Sequence, residues 1–352
     1  MTLENFLMHL GLGVAVFVLS AFLTWVLMKR VRIIDEPNER SSHTNPTPRS
    51  GGIAIVVTFF IGLAALWLLD GLPPLDRGYS WFWAFLITAF LIAAVSIADD
   101  LRGLGFKAKL ILQAGCAVFV MALGVVIDQV SLPFFGAWQL GWLAYPLTFA
   151  WVVGLTNAFN FMDGIDGIAG GTAAVVAGFF AVMVFQLGGG FLYLVGWVIL
   201  WASLGFLLWN WQPAKIFMGD SGSQFLGFVL AVLAVAAGRF DNSHLSYYVM
   251  PLLFFHFIWD TVYTFFRRWR AGEDVTQAHR THIYQLLNRL GLSHAQVTAW
   301  YLGAGVLQGL AALALVHAPA ELRVLAFAPF VLLYVLVTRV VVRRARAQGL
   351  IA

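Results

Sequence analysis

Eleven long apolar runs, joined by short polar segments, leave this chain few folds to choose from. A helix crossing a bilayer needs about 20 mostly apolar residues. The runs fall at approximately 6–28, 52–69, 81–98, 110–127, 139–156, 168–187, 191–209, 223–238, 247–266, 297–316 and 325–342, the fifth and eighth being short and rich in small or aromatic residues. Only 11% of the 352 residues are charged and 61% are hydrophobic, whereas a soluble domain carries roughly 25% charged residues to cover its surface. The 31 Phe and 14 Trp are spread along the whole length instead of gathering in one core. A soluble enzyme and a disordered scaffold are excluded, and a net charge of +4 gives no basis for a nucleic-acid partner. No loop exceeds about 30 residues, too little for a separate soluble domain. The expectation is an all-α polytopic membrane protein, with residues 1–352 forming one integral-membrane domain.

Charge distribution predicts its orientation. With alternating spans, 18 of the 21 Lys and Arg fall on one side, leaving only Arg77, Arg239 and Arg323 on the other. The positive-inside rule makes the rich side cytoplasmic, with the N-terminus outside and the C-terminus inside. The run Phe6–Met28 has no basic residue before it and Lys29, Arg30 and Arg32 after it, so it reads as a first span and not as a cleavable signal. The single cysteine, Cys116, lies in an apolar run and is a small buried residue, with no intrachain disulfide to form.

Ten of the 17 acids also gather on the cytoplasmic side, where five polar constellations stand out. Asp99 and Asp100 end the third span, about 100° apart on a helix, so one could serve a metal and the other a nearby group. Asn157, Asn160, Asp163 and Asp166 recur every three residues, which would align them on a helix. Gly164 and Gly167 between them allow close backbone approach to a ligand, and so many polar groups at a membrane border need partners. In Asn210–Ser223, Asp220 beside glycines and serines suits a hard, oxygen-ligated cation such as Mg²⁺ with phosphate nearby. Phe217 could stack a base and Asn210 read its edge. His279, Arg280 and His282 sit in a basic loop and offer donors to a phosphate. Asp35–Gly52 is the fifth; Arg49, Gly51 and Gly52 open a span and could present N–H groups to an anion. Asp260, inside the ninth span, should face the bundle interior and find a donor.

These groups at one face suit phosphoryl transfer between a water-soluble nucleotide and a lipid phosphate. In this order they resemble the motifs of the polyprenyl-phosphate N-acetylhexosamine-1-phosphate transferases, the WecA/MraY family, across nearly the whole chain. The Asn-Glu-Arg-Ser-Ser-His stretch ending at His43 and the stretch ending at Gln285 look most like the WbpL-type O-antigen initiators. The resemblance implies transfer of sugar 1-phosphate from a UDP-N-acetylhexosamine (GlcNAc, GalNAc or FucNAc) to undecaprenyl phosphate. UMP is released, Mg²⁺ is needed (Mn²⁺ as a substitute), and the place is the bacterial inner membrane, with membrane lipid around the protein and a homodimer as a possible assembly. It also implies residue roles. Asp220 would be a metal ligand with Asp100 beside it, Asp99 would act on the lipid phosphate, and Asp163, Asn210 and Phe217 would hold the uracil. Asn157, Asn160, Arg49, Gly51 and Gly52 would bind substrate, Asp166 would line the catalytic cleft, and His279, Arg280 and His282 would meet the diphosphate or sugar. Where the MraY branch has three consecutive histidines, this chain has His279 and His282 around Arg280 and Thr281, which leaves a muramoyl-pentapeptide donor unsupported. The alternative is a proton- or ion-coupled secondary transporter using Asp163, Asp166 or Asp260; such proteins place polar groups near the bilayer midplane, whereas only Asp260 falls inside a span here.

Overall fold

The computed structural model describes residues 3–31, 33–36, 45–70, 79–277 and 279–351. The stretch ending at His43, with Arg40, lies outside them. The chain is helical almost throughout: α1 Leu3–Arg30, α2 Gly51–Asp70, α3 Ser80–Arg102, α4 Phe106–Ala122, α5 Ala144–Phe161, α6 Ile168–Gln186, α7 Phe191–Asn210 and α8 Asp220–Arg239. After a short α9, Val249–Leu253, come α10 Phe255–Arg270, α11 Ile283–Arg289, α12 His294–Leu315 and α13 Phe327–Ala347. Among the described residues, eight helices are long and apolar enough to cross a membrane. The protein is a multi-pass membrane protein.

Three of the eleven expected spans take a less regular form. The fourth is the 17-residue α4. The ninth is divided at Phe254 into α9 and α10. The fifth starts later than expected, because residues 129–139 form an antiparallel hairpin, β3 Gln129–Leu132 with β4 Gly136–Gln139, paired Leu132 to Gly136. Displaced by this hairpin, α5 runs to Phe161 and carries Asn157 and Asn160 on its last turns. Asp163 and Asp166 lie in the turn beyond it, so the four polar residues do not share one helical face as their spacing suggested.

The centre of the bundle is α8, which packs against α2, α3 and α5. Every residue from Ser221 to Ala237 is buried. Lipid tails are as apolar as Leu, so helices associate in a membrane through close packing, and small residues permit that closeness. A Cβ on Gly227 would lie 2.9 Å from Thr156 Cα of α5.

The same closeness reassigns two residues expected to bind an anion. Gly51 N–H donates to the carbonyl of Phe217 at 2.9 Å, and Gly52 N–H to that of Met218 at 2.8 Å. Both donors are engaged within the protein, because the start of α2 lies directly on the segment leading into α8. A Cβ at Gly52 would stand 2.3 Å from the backbone nitrogen of Gly222. Gly52→Ala keeps the N–H but forces two backbones apart, an overpacking cost of about 1–3 kcal/mol. The expected result is a Tm in detergent several degrees below wild type; an unchanged Tm would show that this contact is not needed.

Candidate active site

Four helix ends meet where α8 begins. Asp100, 4% exposed at the end of α3, accepts the N–H of Asp220 at 3.0 Å on one carboxylate oxygen and that of Ser221 at 2.9 Å on the other. These are donors that the first turn of a helix leaves without an intrahelical partner, and the negative charge also opposes the positive end of the helix dipole. Gly219 makes the approach possible: its φ is 73°, and a Cβ there would lie 2.5 Å from the carbonyl of Arg49 and 2.8 Å from the Asp100 carboxylate. Arg49 in turn donates from Nη2 to the backbone carbonyl of Asp100 at 3.0 Å.

With Asp100 fixed, Asp99 and Asp220 face a common cation. Lys109 Nζ, from α4, lies 2.8 Å from Asp99 Oδ2 and 2.7 Å from Asp220 Oδ2. Asn160 Nδ2 donates to Asp220 Oδ1 at 3.1 Å and to Ser223 Oγ at 2.8 Å, and Gln224 Nε2 donates to Asp220 Oδ2 at 2.7 Å. The network continues inward from Gln224 to Gln113 at 3.0 Å and from Asn157 to Gln113 at 2.6 Å. Charged and amide groups are costly at this depth unless each meets a partner, and these do. Lys109, Gln113, Ser223 and Gln224 were not singled out from the sequence as site residues. The signal was there: Lys109 to Gln113 and Asp220 to Gln224 are polar pairs four apart, on one face of otherwise apolar helices.

Asp163 sits in the turn after α5, and no hydrogen bond to its carboxylate is found among the described residues. Burial, then the charges of Asp220 and Asp100, push its pKa up to about 8, which places it beside the network and mostly protonated at neutral pH. Asp166 is held apart from this group. Its carboxylate accepts Ala214 N–H at 3.0 Å and meets His294 Nδ1 at 3.0 Å. Burial raises its pKa, but these donors outweigh it and leave the value below the usual carboxylate range. Asp166 therefore ties the turn to the 211–217 segment and α12. Asn210, 3% exposed, is similarly engaged: Oδ1 accepts Gly167 N–H at 3.0 Å and Nδ2 donates to the Ile216 carbonyl at 2.9 Å. Its amide shapes the wall of the site where base recognition was expected, while the half-buried Phe217 lies on the next segment.

The His279–His282 loop rests against the end of α5. Tyr284 Oη donates to the Phe161 carbonyl at 3.1 Å. The rings of His279 and His282 stack at 4.8 Å, and His282 lies 6.2 Å from Phe161. Burial, followed by His282, Arg268 and Arg267, pushes the His279 pKa down to about 3. That favours a neutral imidazole at His279, with Nδ1 3.0 Å from Thr281 Oγ1. The Arg280 carbonyl is held by Arg289 at 3.3 Å.

The raised value of Asp163 sets a pH dependence. A carboxyl whose folded pKa exceeds its unfolded value of about 4 adds stability below pH 4 and loses it progressively as pH rises through 8. In EDTA, Asp163→Asn should therefore gain Tm over wild type at pH 8.5 relative to its difference at pH 5.5. The expected gain is a few degrees, on the order of 1 kcal/mol; equal differences at both pH values would contradict the placement.

The comparisons with known proteins identify the family. The family model described as glycosyl transferase family 4 matches residues 82–238, the span from α3 to the end of α8. A probable undecaprenyl-phosphate N-acetylglucosaminyl 1-phosphate transferase of Bacillus subtilis is 34% identical, over 83% of this chain and 81% of its own. A decaprenyl-phosphate N-acetylglucosaminephosphotransferase of Mycobacterium leprae is 33% identical, over 81% and 77%. A phospho-N-acetylmuramoyl-pentapeptide-transferase of Synechococcus elongatus is 32% identical, over 66% of this chain and 67% of its own. The chain belongs to the WecA/MraY-like family of polyprenyl-phosphate sugar-1-phosphate transferases.

Proposed function

We propose that this protein transfers N-acetylhexosamine 1-phosphate from a UDP-sugar to undecaprenyl phosphate at the cytoplasmic face of the bacterial inner membrane. The observation that carries this reading is the Lys109 ammonium between Asp99 and Asp220, a cation held by carboxylates from separate helices at the end of an apolar bundle. The relatives' names support the reaction class, and the basic residues in the loops on that side support the orientation. GlcNAc is the first donor to test because the Bacillus and Mycobacterium relatives carry it in their names; GalNAc and FucNAc follow. Initiation of O-antigen or another surface polysaccharide is the pathway role we propose, as in the WbpL-type branch.

In the reaction an oxygen of the lipid phosphate attacks the sugar-bearing phosphorus of the donor. The new P–O bond forms the lipid diphosphate-sugar, and the bond from that phosphorus to the bridging oxygen breaks, releasing UMP. The lipid monoester, with a second pKa of about 6, is mostly dianionic at neutral pH and has little need of a base. Asp99 then serves chiefly to orient it, in concert with Lys109, whose ammonium can pass from the carboxylates to a phosphate. Asn160 and Gln224 hold the Asp220 carboxylate in place, and Asp163 lies close enough to feel its charge.

The donor set also fits Mg²⁺. Asp220 and Asp99 offer hard carboxylate oxygens already arranged around a cation, with the Asn160 amide beside them; Asp100 fixes the start of α8 through one N–H group on each oxygen and keeps lone pairs with which to join them as a ligand. When bound, Mg²⁺ would neutralise charge on the transferring phosphoryl group. A transporter is disfavoured because the polar network lies at helix ends, and Asp260 is fully bonded within the protein.

Purified protein in detergent with undecaprenyl phosphate, UDP-GlcNAc and Mg²⁺ should release UMP, and EDTA should abolish the release. At saturating substrate, Asp220→Asn should lose more of kcat than Asp99→Asn, by about tenfold or more. Equal or reversed losses at matched expression would contradict these roles. No lipid-dependent UMP from folded protein that binds UDP-sugar would overturn the reaction for that donor.

A further inference from the structure

Asp260 is the most heavily hydrogen-bonded carboxylate in the described structure, and the chemistry above does not use it. It lies in α10 at 1% exposure, where a charge is tolerated only with compensating partners. Five donors converge on it. Oδ1 receives Ile283 N–H at 2.9 Å, Thr264 Oγ1 at 3.2 Å and His282 Nδ1 at 3.0 Å. Oδ2 receives Tyr284 N–H at 3.0 Å and Tyr301 Oη at 2.7 Å. One side chain thus joins α10, the start of α11 and α12.

The bonds fix the state of one ring. A carboxylate only accepts, so the 3.0 Å contact requires the proton of His282 on Nδ1. Nε2 is then the nitrogen left over. It is not among the buried unpartnered atoms, and the side chain also faces Gln285 N–H in the capping box that opens α11. The ring plane is held as well, stacked between His279 at 4.8 Å and Tyr284 at 5.9 Å. Tyr284, whose N–H the same carboxylate holds, carries the contact to α5 through its hydroxyl on Phe161, and a Cβ on Gly164 would lie 2.0 Å from that hydroxyl. The turn bearing Asp163 and the loop bearing His282 are therefore set against each other by a clamp whose centre is Asp260.

We propose that Asp260 is a positioning residue for the transferase: it holds His282 in the Nδ1–H tautomer, with Nε2 turned toward the donor diphosphate, and locks the His282 loop onto the Asp163 turn. The assignment rests on the proposed reaction. A carboxylate on Nδ1–H orients an imidazole and favours the positive charge that an Nε2 contact with phosphate develops. Partners of this kind contribute about 10- to 100-fold when they support a reacting or ligating His.

The test is a double-mutant cycle on UMP release, with kcat expressed per folded enzyme. Asp260→Asn should lower kcat by about 10- to 100-fold while the KM for UDP-sugar stays within about threefold. His282→Asn keeps an amide N–H for Asp260 and loses Nε2, so it should fold as wild type and lose a similar factor. The combined variant should be no slower than His282→Asn alone, because Asp260 acts through that ring. A kcat within twofold of wild type for Asp260→Asn, or two losses that multiply, would overturn the proposal. If Asp260→Asn is not recovered folded, Asp260→Glu takes its place in the cycle, with the same expectations. Amide hydrogen exchange of residues 279–289 judges the clamp without turnover: protection at Ile283 and Tyr284 should fall in Asp260→Asn, and unchanged protection would overturn it. Wild-type protein that releases no UMP while this protection behaves as expected would locate the failure in the proposed reaction and leave the clamp standing.

Discussion

The join between the end of α3 and the start of α8 governs the site. Asp100 accepts the first two N–H groups of α8, and because it follows Asp99 directly, the same bond pair sets Asp99 opposite Asp220. A helix terminus in a membrane bundle has little water to satisfy its free donors, so the carboxylate that does so is held tightly. Once the termini are fixed, Lys109 has two carboxylates within reach, and Asn160 and Gln224 find the remaining lone pairs of Asp220. Remove the join and the carboxylates have no reason to converge.

A second clamp of the same kind stands at the start of α11. Asp260 engages the first N–H groups of α11 as Asp100 engages those of α8. Both are acids within apolar helices, and both exchange the cost of burial for several directed bonds. Between the clamps stands the turn after α5, held by Tyr284 on one side and by Asn160 on the other. No hydrogen bond to the Asp163 carboxylate is found among the described residues, and its pKa, pushed up to about 8, reflects burial first and then the charges of Asp220 and Asp100. A cation entering the network would relieve that repulsion, so metal binding and the ionisation of Asp163 are coupled.

The multi-pass helical architecture, and the location of polar groups in particular loops and helix ends, were legible in the sequence. Length and apolarity identify spans one residue at a time, without knowledge of neighbours. Asp99, Asp163 and Asp220 were legible as well, since acids in apolar surroundings are expensive and stand out. The division of roles was not. Asn210, Gly51 and Gly52 carried the pattern of ligand-binding groups, yet their donors and acceptors close onto backbone of the 167 and 216–218 segments. Lys109 did not stand out as a site residue, although it bridges two carboxylates 121 positions apart in sequence.

Sequence by itself determined that the chain is a multi-pass bundle of apolar helices, which polar residues had to be partnered within it, and the ordered motifs that mark the family. Those properties follow from transfer free energies and local spacing, which belong to each segment separately. Only the tertiary structure decided which partner each polar group took. Hydrogen bonds act over about 3 Å, and the helix ends they join are separated by tens to more than a hundred residues. The hairpin at 129–139 moved α5 along by several residues and so placed Asn160 on Asp220. The break at Phe254 lies at the head of α10, the helix that brings Asp260 to His282. Neither event leaves a local mark strong enough to read, because each is settled by how one helix packs on another.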